Sequence, residues 1–377
     1  MMKKVISMLL ICAMLLTAGA ALAEAPGNQL GFDVLRALTD GTKNQVFSPV
    51  SLAYALGMAL EGADGATEDE IEKALGTDDL DDWIEHNGSK LTAAGLKLAN
   101  AAFITGEIQP DADYIEDLKK DFGAEWFEMS GDMADKINQW TKEHTDGLIE
   151  KLIDGELDPL SQLVLVNAVA MDAKWSSPFS ADETADGIFH APDGDVTASM
   201  MHQPLYADYA ETDEALILRL TYSDSGLSML LALPKDGQSV TGVLDKLSEK
   251  GLSYFSFPEE MTEVSLTMPK IDLSAKNTLN DALQALGVRT AFSDSADFSD
   301  ITKSMPLQIA EVVQKARLVV DEDGTKAAAA TEVGICAMSA PLPAVDFTLD
   351  RPFVAVIAEE ETGTVCFASV IANPAEN

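Results

Sequence analysis

Four histidines (His86, His144, His190 and His202) and three cysteines (Cys12, Cys336 and Cys366) are the chain's whole stock of imidazoles and thiols. None of the histidines stands at metal-ligand spacing from another histidine or a cysteine. The chain has no CxxC, no G-x-S-x-G elbow, no Walker loop and no G-x-G-x-x-G turn. Asp321-Glu322-Asp323-Gly324 has a faint look of a calcium loop, but with Asp323 at the fifth position the first and twelfth would be Val319 and Ala330, neither a carboxylate. The pattern points away from an enzyme, a metal site or a cofactor.

One segment has an unusual pattern. From Asp321 to Asp346 the chain carries Gly324-Thr325-Lys326, the alanines Ala327, Ala328, Ala329 and Ala330, Thr331, and then small residues and two prolines. A surface loop or short alanine helix would explain that composition. Parity says more: in an extended chain Thr325, Ala327, Ala329, Thr331, Val333 and Ile335 share one face, while Lys326 and Glu332 point the other way. Such a loop is able to become a half-buried strand.

The flanking elements set that segment in a mixed fold. Pro49 opens an apolar run to Leu60 that predicts a buried helix. Thr67 and Glu70 have capping-box spacing, with Ile71 and Leu75 facing inward and Gly76 as the stop. Leu96–Ile104 reads as a strand whose alternation is clean only in its first half. Ile137, Trp140, Ile149 and Leu152 are placed on one long helical segment, and Leu163–Val169 is β-branched enough for a central strand. Leu227–Leu233 and Val264–Met268 read as strands, Leu279, Leu283 and Leu286 as a helix ending at Gly287, and Phe353–Ala358 and Val365–Ile371 as paired strands. Strands and helices without regular alternation give an α+β class.

Lys3-Lys4, the apolar run Val5–Ala20 and Ala21-Leu22-Ala23 form a secretory signal over residues 1–23. Its loss takes two of 25 cations and none of 63 acids, so the mature charge is 23 − 63 = −40. That acidity argues against nucleic acid, heparin-like polyanions and anionic membranes as partners. Cys336 and Cys366 then remain, read as free thiols in a domain large enough to need no staple. With no linker or repeat, residues 24–377 are expected to form one domain.

Along almost the whole mature chain the sequence resembles the serpins. The resemblance rests on Phe47-Ser48-Pro49-Val50-Ser51, Ile137-Asn138-x-Trp140, Leu165-Val166-Asn167-Ala168, Lys174-Trp175 with Pro178-Phe179, and Met268-Pro269-Lys270. It continues through Ala296-Asp297-Phe298-Ser299, Glu322-x-Gly324-Thr325, Asp350-Arg351-Pro352-Phe353 and Asn373-Pro374. It implies three β-sheets, about nine helices and a reactive-centre loop over about 322–346, in a bacterial-type secreted inhibitor of serine proteases. Cleavage of the loop would let it enter the central sheet as a strand and carry the acylated protease with it. The hinge would be Glu322, Gly324, Thr325, Ala327–Ala330 and Thr331, with a small inward face. An exposed Thr325 would leave the intact fold indifferent to substitution.

Family spacing from Glu322 places the scissile bond at Met338-Ser339, with Cys336 or Ala337 as alternatives if the register differs. Met338 suits elastase-like or chymotrypsin-like pockets. The resemblance also implies a sheet-opening cluster of Ser48, Ser51 and Asn167, with Gln314 where the family often has histidine. The span from Gly76 to Leu96 reads as too short for the heparin-binding helix of some members. The expected partner is therefore a serine protease bound by a monomer; the competing reading is a non-inhibitory extracellular carrier or chaperone.

Overall fold

The computed structural model describes residues 25–105, 108–129, 133–153, 163–325 and 345–376. Helices prevail first: α1 (Asn28–Leu38), α2 (Pro49–Leu60), α3 (Ala66–Leu75) and α4 (Leu80–Ala93), with strand β1 (Gln45–Phe47) between α1 and α2. Strand β2 (Leu96–Thr105), helix α5 (Ala112–Asp121), strand β3 (Glu125–Met129) and helix α6 (Met133–His144) follow. Strands then take over: β4 (Leu163–Met171), β5 (Ala173–Lys174), β6 (Ala185–Ala191), β7 (Gly194–Glu211), β8 (Ala215–Thr221) and β9 (Leu227–Pro234). Helix α7 (Val240–Lys250) precedes β10 (Thr262–Pro269) and β11 (Ile271–Thr278). Helix α8 (Asn280–Ala285) precedes β12 (Ile309–Val320), β13 (Gly324–Thr325), β14 (Val345–Thr348), β15 (Phe353–Glu359) and β16 (Thr364–Ile371).

The first sheet runs β1-β16-β15-β9-β8-β7-β10-β14, with β6 also on β7. It divides at the 18-residue β7: Met200–Ala207 pairs with β10, and Asp208–Glu211 pairs with β8. The second, central sheet runs β3-β2-β4-β12-β13-β5, with β11 on the other edge of β12. Its middle strands are covered on both faces. Ala102, Ile104, Leu163 and Leu165 join the main core, while Ala101, Phe103, Val164 and Val166 pack with Ile137 and Trp140 of α6. Burial on both sides removes the polar half of the alternation, so the sequence pattern of β2 fades along its length.

Helix α2 begins as the sequence predicts, with Pro49 in its first turn and the Ser48 side chain accepting from the Ser51 N–H at 3.3 Å. Apart from the half-buried Leu60, every residue of it is buried. Such an all-round apolar helix is stable only inside the fold.

Four local expectations change. Thr67 and Glu70 form no capping box: Gly65 is the N-cap of α3, the Thr67 hydroxyl accepts from Asp297 N, and the Glu70 carboxylate accepts from Arg289 N and Thr290 N. Helix α6 stops at His144 because Asp146 and Gly147 adopt φ of 50° and 76°; Ile149 and Leu152 are buried against it without continuing it. Leu286 caps α8 and is 37% exposed, while Leu279 and Leu283 are buried. The span between Gly76 and Leu96 holds the 14-residue α4, so it is long enough for a helix. That helix carries Asp81, Asp82 and Glu85, and its one Lys or Arg, Lys90, is paired with Glu361 at 2.6 Å. The weak basic character of this face, not its length, argues against a polyanion site.

Candidate functional site

Strands β4 and β12 are parallel neighbours from Leu163–Ile309 to Val169–Ala316. Beyond that point they part, and β13 lies between them: Thr325 pairs with Val320 of β12 and with Ala173 of β5. On that edge Arg317, Leu318 and Val319 have no ladder partner among the described residues. The central sheet thus has a seam, closed at one end and wedged by two residues at the other.

Gly324 is required at the wedge, since a Cβ there would lie 2.2 Å from the Ala173 carbonyl oxygen. Thr325 is 2% exposed, and its hydroxyl lies 2.6 Å from the Tyr222 hydroxyl. Burial keeps that phenol protonated. Tyr222 stacks on Trp175 with ring centroids 4.3 Å apart. Trp175 in turn holds the approach to the wedge, donating Nε1 to the Asp321 carbonyl and its main-chain N–H to the Asp323 carbonyl, both at 3.0 Å. The Phe179 N–H donates to the Glu322 carbonyl at 2.9 Å. Thr325 is therefore already inside the sheet, contrary to the expectation of an exposed residue that tolerates any substitution.

Glu322 is tied on its other side. Its carboxylate accepts from Lys270 Nζ at 2.6 Å and from the Thr184 hydroxyl at 2.9 Å. Burial alone would raise its pKa, but hydrogen bonds from Lys270, its own main chain and Thr184 outweigh that and hold it below its ordinary value.

At the closed end the side chains expected to cluster do so, and others join them. Gln314 Nε2 donates to the Ser48 carbonyl and Gln314 Oε1 accepts from the Ser48 N–H, each at 2.8 Å. The Ser48 hydroxyl donates to the Cys366 carbonyl at 2.6 Å, and the Ser51 hydroxyl donates to Asn167 Oδ1. Asn167 Nδ2 donates to Asn100, whose own amide reaches the Phe122 carbonyl at 2.9 Å. Register explains the clustering. Asn100 lies opposite Asn167, Asn167 opposite Gln314, and Gln314 opposite Asn277, so one row of side-chain amides crosses β2, β4, β12 and β11. All four are at most 6% exposed. Asn100 and Asn277 carry no signal in sequence until the register is known.

A family model described as "Serpin (serine protease inhibitor)" matches residues 25–374. The chain is a serpin. Among its relatives, an uncharacterized serpin-like protein of Thermococcus kodakarensis is 35% identical over 92% of this chain and 84% of that one. Leukocyte elastase inhibitor A of Mus musculus is 32% identical over 88% of this chain and 94% of its own. Among solved structures, human thyroxine-binding globulin complexed with thyroxine superposes with a TM-score of 0.83 at 29% identity, covering 93% of this chain and 98% of that one. The family consists mostly of protease inhibitors rather than catalysts.

Within this serpin the residues of the hinge divide. Glu322, Gly324 and Thr325 are placed as above, while Ala327, Ala328, Ala329, Ala330, Thr331, Met338 and Ser339 lie outside the described residues. So do Cys336 and the signal segment. Cys366 is free and fully buried, and burial pushes its thiol up to about 12. Lys270, Thr184 and Tyr222 were missed by residue-type reasoning, although Lys270 sits in the Met268-Pro269-Lys270 motif. Among the described residues no helix is long and apolar enough to cross a membrane.

Proposed function

We propose that the chain is a secreted, monomeric suicide-substrate inhibitor of elastase-like or chymotrypsin-like serine proteases. The observation that carries this is the wedge: Gly324 and Thr325 already pair as a strand between β12 and β5, in line with the unpaired edge of Arg317–Val319. Cleavage at Met338-Ser339 would free the chain after Thr325 to continue along that edge, with Ala327, Ala329 and Thr331 on the inward face begun by Thr325. Each residue added exchanges solvated main-chain groups for ladder hydrogen bonds and buries a small side chain. The protease, acylated by the loop, would be carried with it. Gln314, Asn167, Ser48 and Ser51 form the set of contacts that parting strands would have to release. The similarity to leukocyte elastase inhibitor A supports the target class.

The similarity to a thyroxine-binding protein favours one other reading, a carrier that does not inhibit. Mixing the purified protein with elastase and chymotrypsin separates the two. Inhibition gives a covalent complex that survives boiling in detergent, whereas simple digestion of the loop favours the carrier. Mass spectrometry of the released C-terminal peptide is expected to begin at Ser339. A different first residue would move the scissile bond without touching the inhibitor reading. Oxidising Met338 to its polar sulfoxide should slow inhibition of elastase.

A further inference from the structure

Four large apolar side chains stand well exposed among the described residues: Ile188, Tyr206, Met261 and Leu286. Two of them meet. Tyr206, 64% exposed, lies opposite Glu263 in the β7–β10 ladder, and Met261, 59% exposed, is two residues before Glu263. Val264, Leu266 and Met268 alternate into the core, which leaves Glu263 on the outer face beside Tyr206.

Charge around this pair is one-signed. Glu259, Glu260 and Asp346 are exposed and Glu263 half-buried, and neither residues 203–211 nor 252–269 contain a lysine or arginine. The cation on the next strand, Arg219, is tied to Asp208 and Glu360. An apolar centre with an aromatic anchor and a charged rim has the anatomy of a protein-binding patch. Its place is equally specific. Strand β14 starts at Val345, which pairs with Val264, itself opposite Leu205, so the C-terminal end of the bait loop leaves the fold one residue level from Tyr206 and Glu263.

We propose that the Tyr206–Met261 patch is a docking surface for the body of the protease that has engaged the loop. It selects chymotrypsin-fold enzymes whose active-site cleft is bordered by an apolar surface with basic neighbours. This rests on the inhibitor reading and adds a determinant of target choice outside the loop. Such a contact acts on the encounter, before any bond is cut, so it is to be read as binding rather than as insertion.

The test uses leukocyte elastase and chymotrypsin, each in active form and with the catalytic serine replaced by alanine. In the double variant Tyr206→Ser, Met261→Ser, the Kd for the inactive enzyme bound best by the wild type should rise about tenfold, the scale of losing an interface anchor. Tm and the stoichiometry of inhibition of the active enzyme should not change. Ile188→Ser, on exposed β6 of the same sheet, should leave Kd unchanged. An unchanged Kd in the double variant overturns the proposal while the inhibitor reading stands. So does a wild-type dimer in sedimentation that the double variant dissolves, which would give the patch to a second copy. If the wild type binds neither inactive enzyme and traps neither active one, the inhibitor reading falls first.

Discussion

The two ends of the β4–β12 seam are held by different means. At the wedge the strands are kept apart by main chain, and the surrounding clamp includes an ion pair whose members are partly in water: the Glu322 and Lys270 side chains are 17% and 41% exposed. At the closed end neutral amides line up in a dry row across four strands, each bonded to a neighbouring side chain or to buried main chain. Losing a surface pair costs little, because water replaces the partner. Losing a member of a dry row leaves its neighbours unsatisfied at full desolvation cost. One end of the seam is thus cheap to rearrange and already begun, and the other is expensive to open.

Substitutions break this contrast in graded ways. The largest effect is expected from Thr325→Arg, which puts an unpaired charge beside Tyr222 inside the sheet. It should lower the stability of the intact protein by about 3–5 kcal/mol in urea unfolding and abolish the detergent-stable complex. Unchanged unfolding would mean that β13 does not hold its place in the sheet. Asn167→Ala removes the partner of both Ser51 and Asn100 and should cost about 2–3 kcal/mol. Asn277→Ala, at the end of the row, frees only the Val46 carbonyl and Gln45 side chain. It should cost about 1 kcal/mol. Equal losses at the two positions would deny the row its graded structure.

The smallest effect belongs to the ion pair, and its sign is fixed. Glu322 is held below its ordinary value of 4.5, so its contribution is fully present above that value and is lost as pH falls through the lower folded one. Glu322→Gln should cost less than about 1 kcal/mol at pH 7 because Lys270 is well solvated. The gap in Tm between wild type and variant should close as pH falls below 4.5. A gap that persists in acid would show that the pair acts through shape and not charge.

Much of this contrast was legible in the sequence, but unevenly. Pro49, Gly76 and the paired strands at the C-terminus announce themselves through local chemistry. The hinge is visible because Gly324, Thr325 and the alanines form a parity pattern in a place where ordinary strands would carry bulk. Thr67 and Glu70 misled because tertiary partners, Asp297 and Arg289–Thr290, claimed side chains whose spacing fits a local cap. The amide row stayed half hidden for a different reason. Asn100 and Asn277 are ordinary polar residues until pairing aligns them with Asn167 and Gln314, and register is a property of the sheet as a whole. The early burial of Thr325 was hidden too, since parity assigns it a face but not a moment of insertion.

Cys366, on β16, offers a clock for the core behind Ser48. Its carbonyl receives the Ser48 hydroxyl, its side chain has no exposed surface, and its thiol stays protonated under ordinary conditions. A soluble alkylating reagent therefore reaches it only in molecules whose core around β16 has opened. With Cys336 replaced by serine, the labelling rate at low reagent equals the intrinsic thiol rate multiplied by the open fraction; at saturating reagent it becomes the opening rate itself. One sulfur atom on β16 thus carries a stopwatch for how often the core behind the Ser48 contact comes apart.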